Sequence, residues 1–159
     1  VPTKLKPTHL EKIEAGIVAT LKEHLGSDCL IDLFPDRPGE FDMGKATKAV
    51  LVQYTGSTYA APDGTRSGWQ QRSPNFAIHL QLRTLGHTMR GTREVEQIRF
   101  ALQAVRIEGA ELRLVRDGIA EQDNDYWRYV IEVACTIPAV PRPQNAPAPL
   151  MTNFQIEGA

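Results

Sequence analysis

The sequence predicts an α+β domain: a mostly antiparallel sheet of about five strands carrying two amphipathic helices, in the order α-β-β-β-α-β-β, with an extended C-terminal arm. Three observations predict it. Thr8 and Glu11 form a T-x-x-E helix-initiating pair directly before a helically spaced apolar set. Residues Asn75 to Thr84 alternate apolar and polar side chains with period two. Beyond Ile137 the composition turns abruptly to proline.

The first helix carries Leu10, Ile13, Ile17, Val18, Leu21 and Leu25 on one stripe and Lys12, Glu14, Lys22 and Glu23 on the other, so it should lie on a sheet with one face wet. Gly26 follows as a residue able to take positive φ past the helix end. CLIDLF, Cys29 to Phe34, reads as a strand stopped by Pro35 and Pro38. KAVLVQY, Lys48 to Tyr54, reads as a second. From Thr55 to Ser73 the chain has three glycines, a P-D-G turn signal and almost no periodicity, which predicts a long irregular loop. Tyr59 and Trp69 in that loop are candidate contact residues.

NFAIHLQLRT puts Phe76, Ile78, Leu80 and Leu82 on one face of a half-buried antiparallel strand. After the turn LGHTMRG, a second amphipathic helix is expected from Thr92, as capping residue, to Arg106, with Val95, Ile98, Ala101, Leu102 and Val105 buried. ELRLV, Glu111 to Val115, and WRYVIEVACTI, Trp127 to Ile137, read as the last strands, joined by a polar loop RDGIAEQDNDY.

Residues 1–137 thus form one domain, the number expected of 159 residues with 42% hydrophobic side chains. Residues 138–159 form the arm. Pro138, Pro141, Pro143, Pro147 and Pro149 favour an extended conformation without internal hydrogen bonds, and Met151, Phe154 and Ile156 restore apolar character near the end. A stiff spacer with an apolar tip is suited to holding a neighbouring subunit, for example by adding a strand to its sheet.

Eighteen basic and nineteen acidic residues leave a charge of -1, which gives no sign of a dedicated nucleic-acid binder. Between Asp63 and Arg116, however, nine Arg stand against five acids. Cys29 and Cys135 lie in apolar stretches, outside any C-x-x-C pair, and read as small buried side chains. No apolar run is long enough to span a bilayer, and VPTKLKPT has no signal-like apolar region, so cytoplasmic synthesis is expected.

Catalytic signatures are missing. GTRSG, Gly64 to Gly68, has its serine one place too late for a nucleophile elbow, and no phosphate-binding, dinucleotide-binding or H-E-x-x-H motif occurs. His9, His24, His79 and His87 lack metal-ligand spacing; Glu121, Asp123 and Asp125 lack the glycine and distant glutamate of a calcium loop. No catalytic residue, cofactor or metal is expected.

The run FPDRPGEFDMGKATKAVLVQYTGSTYAAP, Phe34 to Pro62, joins F-P-D-x-P to a K-A-V-L-V-x-Y strand and a G-S-x-Y segment. After it come the alternating strand, RTLGH at Arg83 to His87, the helix with EVEQIRFAL, and the DG…W-x-Y stretch at Asp117 to Tyr129. In this order and spacing, over about residues 8 to 140, the chain resembles the tail-terminator-like proteins of Mu-like and other contractile-tailed phages. The proline-rich arm lies outside that resemblance.

The resemblance implies a structural virion protein. Its subunits would form a hexameric ring on the last ring of the tail tube, stop tube growth, and offer the docking surface for the head-tail connector in the neck. Double-stranded DNA would pass through the lumen without specific binding, held weakly through phosphates. The tail-tube protein, the connector proteins and the sheath are the implied partners, with assembly in the bacterial host cytoplasm and no membrane involved. Tyr59, Trp69, Met151, Phe154 and Ile156 are the candidate interface residues. The alternatives are another neck or tail-completion protein, or a small ligand-binding domain or enzyme with the 55–73 segment as a lid.

Overall fold

A computed structural model describes residues 5–62, 64, 68–83, 91–122 and 125–140. The first helix, α1 (His9–His24), starts on the predicted capping box: the Thr8 hydroxyl accepts from the Glu11 N–H at 3.3 Å and the Glu11 carboxylate accepts from the Thr8 N–H at 2.6 Å. It buries Ile13, Ile17, Val18 and Leu21. It ends without the left-handed glycine expected at Gly26; the chain leaves through an extended Leu25 instead.

The strands are β1 (Cys29–Leu33), β2 (Lys48–Tyr59), β3 (Gln70–Arg83), β4 (Arg106–Ile107), β5 (Ala110–Glu111), β6 (Arg113–Gln122), β7 (Tyr126–Ala134) and β8 (Ile137–Ala139). The main sheet has the order β1-β2-β3-β7-β6, with β8 also on β3. Within it β1 and β2 are parallel and every other pair is antiparallel. The fold is therefore α+β with a mostly antiparallel sheet, as the sequence predicts. β4 and β5 form a small hairpin outside the main sheet. It sets Ile107 against Gly16 of α1, so close that a Cβ at position 16 would collide with the isoleucine side chain.

One face of the sheet carries Val50, Val52, Phe76, Ile78, Leu80, Leu82, Tyr129, Ile131 and Val133, which join the buried stripes of both helices in a single core. The second helix, α2 (Thr92–Leu102), differs from expectation at both ends. Its cap is Gly91 at φ +73°, and Thr92 is the first helical residue. A Cβ at position 91 would come within 2.5 Å of the Tyr129 ring and 2.7 Å of Leu82, so only glycine lets the helix start this close to the sheet. The helix stops at Leu102, short of Arg106, because Ala104 at φ +59° turns the chain and donates its N–H to the Leu112 carbonyl.

Two predicted loops are strands. The 55–73 segment is strand at both ends: β2 runs on to Tyr59 and β3 begins at Gln70, with a bulge at Thr55 that Gly56 accommodates at φ +145°. Likewise β6 extends through RDGIAEQ to Gln122, with bulges at Val115 and Ala120. The strand predicted over Trp127–Ile137 appears as β7 and β8 in one register along β3. Asn75 faces Ala134 and Arg72 faces Ile137, with Ser73–Pro74 opposite Cys135–Thr136 between them. The ladder breaks there because Pro74 has no N–H to give; its carbonyl still accepts from the Cys135 N–H at 3.2 Å.

Pro138, the first residue assigned to the arm, thus continues the sheet in β8, and residues 141–159 lie outside the described part. The face of the sheet away from the helices carries Leu51, His79 and Val130 in one row. The β1–β2 crossover packs on it: the Phe34 ring lies 4.6 Å from that of His79, and Arg83 reaches Asp42 at 3.8 Å.

Candidate assembly surfaces

Alternation along β2 and β3 changes character at Tyr54 and Asn75. β1 pairs with β2 only as far as Val52, and β7 pairs with β3 only from Asn75. The hairpin beyond these points, residues 55–60 and 70–74, has β8 alone beside it. Its side chains are mostly polar and, apart from buried Pro74, partly or fully exposed.

A cluster around Arg72 orders this end. Arg72 donates to the Tyr54 hydroxyl at 3.0 Å and to Ser57 Oγ at 2.9 Å, while Tyr54 and Ser57 share a hydrogen bond of 2.8 Å. Its guanidinium also lies 5.6 Å from the Tyr59 ring centre and 5.9 Å from that of Tyr54. The hydrogen bond to Ser57, and then Arg72, holds the Tyr54 phenol below its ordinary pKa. On the main chain, Tyr54 N–H donates to Glu14 of α1 at 2.9 Å, which ties the base of the hairpin to the helix layer.

Beside this cluster lies an open groove of about 510 Å³ lined by Ala60, Ala61, Trp69, Gln70, Gln71, Thr136, Ile137 and Pro138. The structure therefore gathers Tyr59, 54% exposed, Trp69 and the start of the arm at one end of the molecule. Met151, Phe154 and Ile156 lie outside the described residues. Arg72, Tyr54 and Ser57 are not visible as a site in the sequence. Only the pairing of Tyr59 with Arg72, which a loop assignment hides, brings them together.

Exposed large apolar side chains gather at two further places. Leu30 and Leu33 lie on the outer strand β1, and Phe100, Val115 and Ile119 lie on α2 and the opposite outer strand β6.

The described histidines are locally engaged. His9 lies 3.2 Å from the Glu108 carbonyl, His24 lies 2.9 Å from that of Thr20, and His79 lies 2.9 Å from Gln53 Oε1. His87 and Asp123 lie outside the described residues. Glu121 meets Arg128 at 3.1 Å. Burial, reinforced by Asp28, pushes the Cys29 thiol up to about 11, which leaves it protonated near neutrality and a poor nucleophile. Among the described residues no group of three or more His, Cys, Asp or Glu could hold a metal ion, and no helix is long and apolar enough to cross a membrane.

These features define an α+β domain with a one-sided helix layer, a polar hairpin standing beyond it and, among the described residues, no further strand beside either β1 or β6 at the sheet edges. The chain belongs to the Gp37 protein family, which it matches over residues 17–158, and that family makes it a phage-associated protein. The match runs through the proline-rich segment almost to the C-terminus, so the arm is part of the family's sequence pattern. No curated protein matches the chain.

Proposed function

We propose that this protein is a tail-terminator subunit: a non-catalytic ring component that caps the head-proximal end of the tail tube, stops its growth and offers the docking surface for the head-tail connector. One observation carries this reading. The first run of the resemblance to tail-terminator-like proteins, Phe34 to Pro62, builds the β1–β2 crossover, β2 and the first strand of the distal hairpin. A sequence pattern serving only the core would sit on the helix-covered face. This one runs out to the Arg72 cluster and the groove where the arm begins.

Membership of a phage-associated family supports the setting, and the two outer strands, unpaired on one side among the described residues, suit a head-to-tail contact that closes by rotation. The ring is taken as a hexamer in the neck of the virion, with DNA crossing its lumen. Mass measurement of the full chain, alone and after addition of tail tubes, tests the reading. The expected result is a closed ring of uniform stoichiometry that co-sediments with tubes and localises, when labelled, between tube and head connector. A chain that stays monomeric at high concentration and ignores tubes would overturn it. Label elsewhere in the neck would instead favour a different tail-completion role.

A further inference from the structure

We infer that the two outer strands are the two halves of one heterologous contact, with β6 of one copy lying against β1 of the next. The inference rests on the ring reading and adds the surfaces that would form it.

Strand direction is the first argument. Following the sheet from β1 through β2, β3, β7 and β6, the strands run up, up, down, up, down. A second copy added by rotation would place its upward β1 beside the downward β6, an antiparallel neighbour like most already present in the sheet. Joining β1 to β1 or β6 to β6 would leave the opposite edges open, and such a contact stops at a dimer.

Side chains give the second argument. Exposed apolar groups are present on both edges, Leu30 and Leu33 on β1 and Val115 and Ile119 on β6, although an outer strand in a solitary domain is better served by polar ones. The two outer strands also carry opposite charges on one face. Asp32 is aligned with Leu51, and Arg113 with Ala134 beside Asn75, so both lie on the face away from the helices. Neither has an ion-pair partner among the described residues; Asp32 accepts only from the neighbouring Leu33 N–H. The bulges at Val115 and Ala120 block continuous pairing along β6 but leave Arg116–Ile119 regular between them, a length comparable to the five residues of β1. The bulges thus restrict which strand can dock.

Mixing two variants of the full chain, each also carrying Cys29→Ser so that buried Cys135 is the one native thiol left, tests the contact. Leu33→Cys marks β1 and Ile119→Cys marks β6, and each variant, or the mixture, is treated with a short bis-maleimide. The Cys29→Ser chain, whose remaining Cys135 is buried, is the blank. The expected result is a cross-linked dimer from the mixture at least about tenfold above either variant alone, the excess that a heterologous contact demands. A dimer from one variant alone would show a self-complementary edge and overturn the inference. Full association without cross-linking in the mixture would overturn it too, while leaving the ring reading standing; absence of any association would sink both.

Discussion

The β2–β3 hairpin is two structures in one pair of strands. Its proximal half, Lys48–Tyr54 against Asn75–Leu82, alternates between a helix-packed face and a second face partly covered by the crossover; Val50, Phe76 and Ile78 have no exposed surface. Its distal half, beyond the bulge at Thr55, has no helix over it among the described residues and is held by hydrogen bonds around Arg72. The same backbone pairing is stabilised by burial in one half and by polar contacts in the other. Substitutions in the first should therefore cost folding, and substitutions in the second should cost association.

The largest effect is expected in the proximal half. Phe76→Ala removes a fully buried ring from the centre of the core and should destabilise by about 3–5 kcal/mol, enough to unfold much of the population of a marginally stable domain. Urea unfolding with an unchanged slope would confirm it. A loss under about 1 kcal/mol would show that the helix layer packs elsewhere.

Gly91→Ala comes next. It forces a positive φ on a residue with a Cβ and drives that carbon toward Tyr129 and Leu82, so a cost of about 1–3 kcal/mol is expected. Because the strain sits at the start of α2, hydrogen exchange should quicken first in that helix. In the distal half the order reverses. Arg72→Ala should lower stability by only about 1 kcal/mol, since its partners Tyr54 and Ser57 can turn to water, yet it should weaken ring assembly or tube binding by a larger factor. Equal effects on folding and association would erase the distinction between the halves.

That division also explains what can be read in the sequence. The capping box of α1 and the alternation of Asn75–Arg83 are legible because a single buried face imposes a period on the residues that supply it. The distal hairpin and the outer part of β6 are not, because a strand exposed on both faces has no reason to alternate. Gly56, Ser57 and Thr58 look like a loop, and so do Asp117 and Gly118, although all are paired. Local rules put the cap of α2 one residue late for a different reason: the glycine at position 91 is required by contact with Tyr129, far along the chain, and no local rule can see that. Of the candidate site, Tyr59 and Trp69 can be named from their setting, but the arginine that organises this end depends on strand register.

The smallest effect concerns His79, on the face that the crossover covers. Burial under Phe34, and then the charge of Arg128, lower its pKa, so the folded state prefers the neutral ring. The sign follows from proton counting. Below the unfolded pKa of roughly 6.5 the unfolded chain binds more protons at this site than the folded one, so stability falls as pH drops from about 7 towards the lower folded pKa. His79→Gln keeps a polar side chain within reach of Gln53 but removes the titration. The stability of the native chain relative to the variant should therefore be greatest above about pH 7 and decline in acid, by a margin on the order of 1 kcal/mol or less for a half-buried ring that solvent still screens. Parallel stability profiles between about pH 5 and 8 would show that the crossover leaves His79 as free to protonate as it is in the unfolded chain, and that this second face contributes little to the proximal half.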